Sequence, residues 1–171
     1  MKPRHKPLDF PDIFYLMAAE GWVELGNPVE ASLELEQFNR EHRSHPDVLI
    51  VRWAIHADLK DWDACLQIAA TLVKTAPRRC RGWLQYSISL HRLDRTQEAY
   101  NNLFKVAKKF PKEWAIPYNL ACYCAQLGKT EEAWHWLEQA CLVGIAKDVK
   151  RTAVTDPDLE PLWKQMGLEK A

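Results

Sequence analysis

Cys122, Cys124, His135 and Cys141 are residues of the types that ligate soft divalent metals. Their spacing argues against such a site. Residues two apart on a helix point to different faces, so Cys122 and Cys124 do not converge. Cys124 also falls on an apolar stripe, where a thiol acts as a small hydrophobe. Neither a metal nor any other cofactor is expected. Catalysis finds no better footing, because the chain has no HExxH, no GxSxG, no phosphate-cradling glycine loop and no histidine–carboxylate pairing at useful spacing. The histidines scatter, with His42 and His45 near a turn, and an enzyme is not expected.

A second chemistry to weigh is polyanion binding. Lys74, Arg78, Arg79 and Arg81, followed by Lys105, Lys108 and Lys109, form a basic cluster of the kind that helical repeats use on single-stranded RNA. Lys74 and Lys105–Lys109 lie near expected helix C-termini, where cations meet the helix dipole favourably. Over the whole chain 23 basic residues balance 23 acidic ones, and that zero net charge weighs against nucleic acid as a partner.

These residues must be carried by packed helices. Apolar residues make up 47% of the 171, enough for a core, and eight tryptophans with six glycines suit helices better than turn-rich β structure. The five cysteines, Cys65, Cys80, Cys122, Cys124 and Cys141, are odd in number and form no CxxC, and the basic start has no apolar segment behind it. Reduced thiols in a cytoplasm are therefore expected, with no membrane span.

Internal periodicity gives the organisation. An alanine after a short polar turn recurs as Ala31, Ala64, Ala99 and Ala133, at spacings of 33, 35 and 34 residues. Four residues later stand Leu35, Ile68, Leu103 and Leu137, and Pro46, Pro77, Pro111 and Gly144 punctuate the unit ends. Each unit reads as two helices. In the third, Trp83, Tyr86, Ser87 and Leu90 share one helical face, Asp94-Arg95-Thr96 turns the chain, and Thr96 caps the second helix. In the fourth, Leu120, Ala121 and Cys124 face inward, Gly128 ends the first helix, and Thr130 caps the second. The small alanines let paired helix backbones approach closely, to about 8–9 Å.

A period near 34 with Trp, Ala and Pro at these offsets resembles the tetratricopeptide repeat family over residues 12–144. Against the family period, the first unit carries about three extra residues before Pro46. The second has Arg52 where a small residue is expected and Leu59 where glycine would turn the chain. Pro117 requires its helix to begin near Glu113 or Trp114. The resemblance implies an all-α, right-handed superhelix of helix-turn-helix repeats with a C-terminal capping helix. A basic flexible tail is expected over 1–9, then one domain over 10–171, with units at approximately 12–46, 47–77, 78–111 and 112–144 and a cap at 145–171. In that cap, Thr155 or Asp156 starts a helix with Pro157 in its first position, Leu159, Leu162, Trp163 and Met166 form its apolar stripe, and Gly167 closes it. The run from Tyr118 to Leu159 is similar to the terminal unit of bacterial arrays and implies a bacterial origin and a natural C-terminus.

Members of this family usually hold an extended peptide or a partner helix in a groove lined by their first helices. Carried over to this chain, the groove positions are Glu20, Trp53, His56, Arg81, Gln85, Ile88, His91, Arg92, Tyr118, Asn119 and Gln126. Asn and Gln there would clamp a peptide backbone, and Arg81 and Arg92 would meet carboxylates. The carboxylate clamp of chaperone-binding members is absent as a set, since Leu16 and Glu20 occupy its first-repeat positions and Gln85 stands beside Arg81 in the third. Trp22, Trp83 and Trp163 fit packing stripes, Trp62 marks a helix turn, and at least one of Trp134 and Trp136 is expected to be partly exposed, unless residues 145–154 cover it. The resulting expectation is a non-enzymatic protein–protein interaction adaptor, chaperone-like in one version, with RNA binding or a self-assembling structural subunit as alternatives. Its partner would be a protein or peptide, with a homo-oligomer open.

Overall fold

The computed structural model describes residues 6–167, and every regular element among them is helical. The helices are α1 Asp12–Glu24, α2 Pro28–Glu36, α3 Pro46–Asp58, α4 Trp62–Thr75, α5 Cys80–Arg92, α6 Thr96–Ala107, α7 Ala115–Gln126, α8 Thr130–Val143 and α9 Ala146–Ala153. Two 3-10 turns, Arg40–His42 and Pro157–Leu162, complete the set. The expected all-α fold of paired helices is what the structure has. The chain divides into two compact units, residues 1–86 and 87–171, with the division inside α5. In the first, α1 packs on α2, α3 packs on α4, and both α1 and α2 touch α3. In the second, α7 packs on α8 and α6, α9 packs on α8, and the 3-10 turn at Pro157–Leu162 lies on α7.

The repeat frame is more regular in space than the alanine anchors implied. Ala31, Cys65, Ala99 and Ala133 are spaced by 34 residues throughout, and each is fully buried at 0% exposure. The anchor of the second pair is therefore Cys65, not Ala64, which is only half-buried, and the following core position is Ala69 rather than Ile68. The Cys65 thiol donates to the Trp53 carbonyl at 3.5 Å, so the sulfur is a small core group tied to the facing helix. Burial raises its pKa to about 12, which keeps it neutral. The same frame moves the second unit's other departure. Ala19, Ser87 and Ala121 are fully buried at the close crossing on the first helices, and the residue in register with them is Trp53, not Arg52. Where α3 carries this bulk, α4 carries Ala69 at the position that is Leu35, Leu103 and Leu137 in the other pairs.

The turns obey the frame too. Gly26, Lys60, Asp94 and Gly128, again 34 apart, all have positive φ, at 69°, 57°, 59° and 75°. The turning residue of the second unit is thus Lys60, one position after Leu59. Asn27 and Asp61 follow as true N-caps, accepting from the Glu30 and Ala64 amides at 3.3 and 3.2 Å. Their counterparts Arg95 and Lys129 make no side-chain cap bond, and Thr96 and Thr130 lie just inside α6 and α8 instead of capping them. Arg95 instead makes a two-pronged pair with Glu98, both contacts at 2.8 Å, and Lys129 sits 5.3 Å over the Tyr100 ring. Pro117 falls in the opening turn of α7, as its missing amide demands.

Residues 1–5 of the expected tail lie outside the described residues, but Leu8 is 8% exposed and joins the core of the first unit. The extra length before Pro46 is taken up by the 3-10 turn Arg40–His42, from which His42 Nδ1 bonds the buried carboxylate of Asp12 at the start of α1. The C-terminal cap is not one helix from Pro157. It is α9 followed by a 3-10 turn, in which Asp156 accepts from the Asp158 amide at 3.0 Å. Pro161 stands four residues after Pro157 and has no amide to return to it, so an α-helix cannot propagate there. Leu159 and Leu162 are nonetheless fully buried, which is worth about 1.5–3 kcal/mol each.

A Lys60→Gly variant relieves a left-handed residue bearing a Cβ and should be more stable by about 1 kcal/mol in urea denaturation, whereas Leu59→Gly should not be stabilised. The hydrogen bond to Asp12 raises the pKa of His42 above 6.5 in the folded chain. That stabilisation is complete below the unfolded value and is lost as pH rises through the raised folded one. The melting temperature should therefore decline as pH rises above about 6.5, and an Asp12→Asn variant should lose this dependence.

Candidate functional site

The first helices carry the side chains expected to meet a ligand, and each unit arranges its own share differently. In the first unit, Glu20 and Arg81 are exposed. His56 is half-buried and reaches Asp61 at 3.1 Å across the helix turn, so the N-cap of α4 also orients that imidazole. Trp53 packs its ring against Trp62, with centroids 6.4 Å apart. Gln85 is buried, and its amide donates to the Ile50 carbonyl at 3.3 Å, so it joins α5 to α3. These five residues do not converge on a common point, and Gln85 faces protein.

The second unit does bring its residues together. Tyr118 on α7 donates its hydroxyl to Asp156 Oδ2 at 2.8 Å, and the Cys122 thiol, one turn on, approaches the same oxygen at 3.7 Å. His91 Nε2 lies 3.2 Å from Asp158 Oδ2, with the other ring nitrogen 2.9 Å from the Thr96 hydroxyl. Arg92 approaches Asp158 Oδ2 at 3.9 Å, and Gln126 donates to the Asp158 carbonyl at 2.9 Å. Four of the expected groove residues thus surround one short acidic segment of the same chain. Ile88 and Asn119 are half-buried, and Asn119 spends its amide on the Ala115 carbonyl of its own helix at 2.7 Å.

The electrostatics follow from this geometry. The bond from His91, reinforced by Arg92, holds Asp158 below the ordinary carboxylate range despite partial burial. Burial first, and Asp156 second, push the Tyr118 hydroxyl and the Cys122 thiol well above their usual values, so both remain protonated donors. The ring of Tyr123, packed 5.1 Å from His91, closes the floor, and its hydroxyl donates to Ser87 at 3.1 Å. The arrangement binds carboxylates. It offers no nucleophile, because its one thiol is buried and neutral.

Sequence reasoning places Asp156 and Asp158 at a helix start and misses their part in this site. The available signal is the pairing of two carboxylates with a cationic first-helix face, together with Pro161, which rules out a regular helix.

Elsewhere in the second unit a cavity of about 740 Å³ lies between α8, α9 and residues 165–166, lined by Trp134, Leu137, Cys141, Leu142, Lys150 and Met166 among others. Trp134 is half-buried there and donates to Glu138 at 3.0 Å, while Trp136 turns its edge to Phe104 at 6.0 Å. Among the described residues no group of three or more His, Cys, Asp or Glu side chains could hold a metal ion, and no helix is long and apolar enough to cross a membrane. Lys74 and Lys105 occupy the last turns of α4 and α6.

No protein-family profile matches the chain, and none of the curated proteins compared with it does. Solved structures do. TTC0263, a thermophilic TPR protein of Thermus thermophilus, is similar with a TM-score of 0.77 at 19% identity, over 91% of this chain and 83% of that one. MamA from AMB-1 gives 0.62 at 18% identity over 94% and 85%. A double mutant of MamA from RS-1 gives 0.65 at 12% identity over 85% and 79%. At such identities the likeness speaks for architecture alone, and it agrees with the 34-residue frame found in the helix pairs. The chain has the tetratricopeptide-repeat fold.

Proposed function

We propose that the protein is a non-enzymatic interaction module that holds an extended segment of a partner protein on the first-helix faces of its units. The observation that carries this reading lies in the second unit, where side chains of α5 and α7 already grip an irregular segment, residues 156–162, by its carboxylates, one backbone carbonyl and two buried leucines. A surface that can hold one non-helical stretch of chain through side-chain contacts has the chemistry to hold another. The first unit offers different groups for the same purpose, with an aromatic at Trp53, a positioned imidazole at His56 and the exposed charges of Glu20 and Arg81. The lysines at the ends of α4 and α6 are accounted for by the helix dipole, and zero net charge favours a protein over a nucleic acid.

Photocrosslinking in cells tests this directly. A photoreactive residue placed at Glu20, Arg81 or Arg92 should yield discrete protein adducts that survive nuclease treatment, while the same residue at Gln97 or Lys105 on α6 should yield none. Adducts confined to the α6 positions, or adducts removed by nuclease, would overturn the proposal.

A further inference from the structure

Residues 156–162 make contacts of an unusual kind for the end of a helical array. The segment is not an added helix laid on the last pair, since Pro161 prevents that, and it is held by side chains that reach to it from α5 and α7. Two carboxylates two positions apart take separate donor sets: Tyr118 and Cys122 for Asp156, His91 and Arg92 for Asp158. Leu159, directly after the second carboxylate, and Leu162, three further on, are both fully buried. Thr96 sets the His91 ring for this contact from the far side, so the donor is oriented by the fold and not by the segment itself.

We propose that this segment is a displaceable internal competitor, and that the face beneath it takes from a partner protein an extended acidic segment of the same pattern, Asp-x-Asp-Leu-x-x-Leu. The inference rests on the first-helix reading above and specifies what that face recognises. Three observations favour exchange over a permanent seal. Arg92 remains 46% exposed at 3.9 Å from Asp158, so its guanidinium has donors to spare for a better-placed carboxylate. The segment has no ladder of helical bonds to hold its shape, being a single 3-10 stretch of six residues. It is also tied at its far end by the Trp163 indole, which donates to the Ala153 carbonyl of α9 at 3.1 Å and would keep a released segment close to its site. A partner then competes with a tethered ligand, and its apparent affinity is reduced by the fraction of time the face is free.

The probe is a fluorescent peptide with the sequence of residues 155–163, added to the full chain. The double variant Asp156→Ala, Asp158→Ala weakens the internal segment and leaves the face intact. It should bind the peptide at least about tenfold more tightly than wild type, and Cys122, no longer covered by Asp156, should be alkylated faster. Adding Arg92→Glu should abolish the gain, and a peptide with both aspartates replaced by asparagine should not bind. If the alanine double variant loses its helical circular dichroism, Asp158→Asn is the alternative, because it keeps the side-chain volume. The inference is overturned if Cys122 alkylation is unchanged in a folded variant, or if alkylation quickens and the peptide still does not bind. It is equally overturned if the opened chain sediments as a dimer that the peptide cannot dissociate, since the occupant is then a second copy. Crosslinks at the first-helix positions with no peptide binding would remove this inference alone and leave the interaction role standing.

Discussion

Everything in this fold depends on one steric requirement, that a small residue stand where the two helices of a pair cross. Ala31, Cys65, Ala99 and Ala133 meet it, each without solvent exposure. A larger side chain at such a point would force the helices apart and cost about 1–3 kcal/mol through displaced packing. Because the crossing recurs every 34 residues, so do its neighbours: the left-handed turn, the cap position and the second core residue. The helices themselves have ordinary propensity; it is their nesting that makes them a fold.

The first-helix face of the second unit shows what such a scaffold can do with chemistry left over from packing. Its core-facing side chains build the pair, and the remaining ones converge on two aspartates from the end of the chain. The contacts are charge-assisted on one aspartate and made by neutral donors on the other. This combination gives direction as well as affinity, because reversing the segment would place Asp158 against the protonated tyrosine and thiol and Asp156 against the cation.

Much of this was legible in the residues. The helix pairs, their polar turns and the opening-turn proline of α7 follow from periodicity and from the known limits of proline. The second unit misled, for a physical reason. Cys65 does the job of alanine there, and Ala64 beside it supplies the letter without the burial, so a reading keyed to residue type slipped by one. The caps of α6 and α8 misled in the same way: threonine is a good capping residue, but Thr96 and Thr130 stand one place inside. The candidate site was half legible. His91, Arg92, Tyr118 and Gln126 could be placed on one face by spacing alone. What occupies that face could not be, since the return of a distant irregular segment leaves no periodic trace.

The trade between Trp53 and Ala69 has a consequence for how such arrays evolve. Bulk was moved from the second helix of the pair to the first, so α3 and α4 fit each other and neither matches the mould of the other units. A recombination event that cut between them would bring a tryptophan onto a leucine, or leave an alanine opposite a serine. The inheritable brick of this architecture is therefore the hairpin of two helices, and shuffling that respects that seam is the kind most readily tolerated.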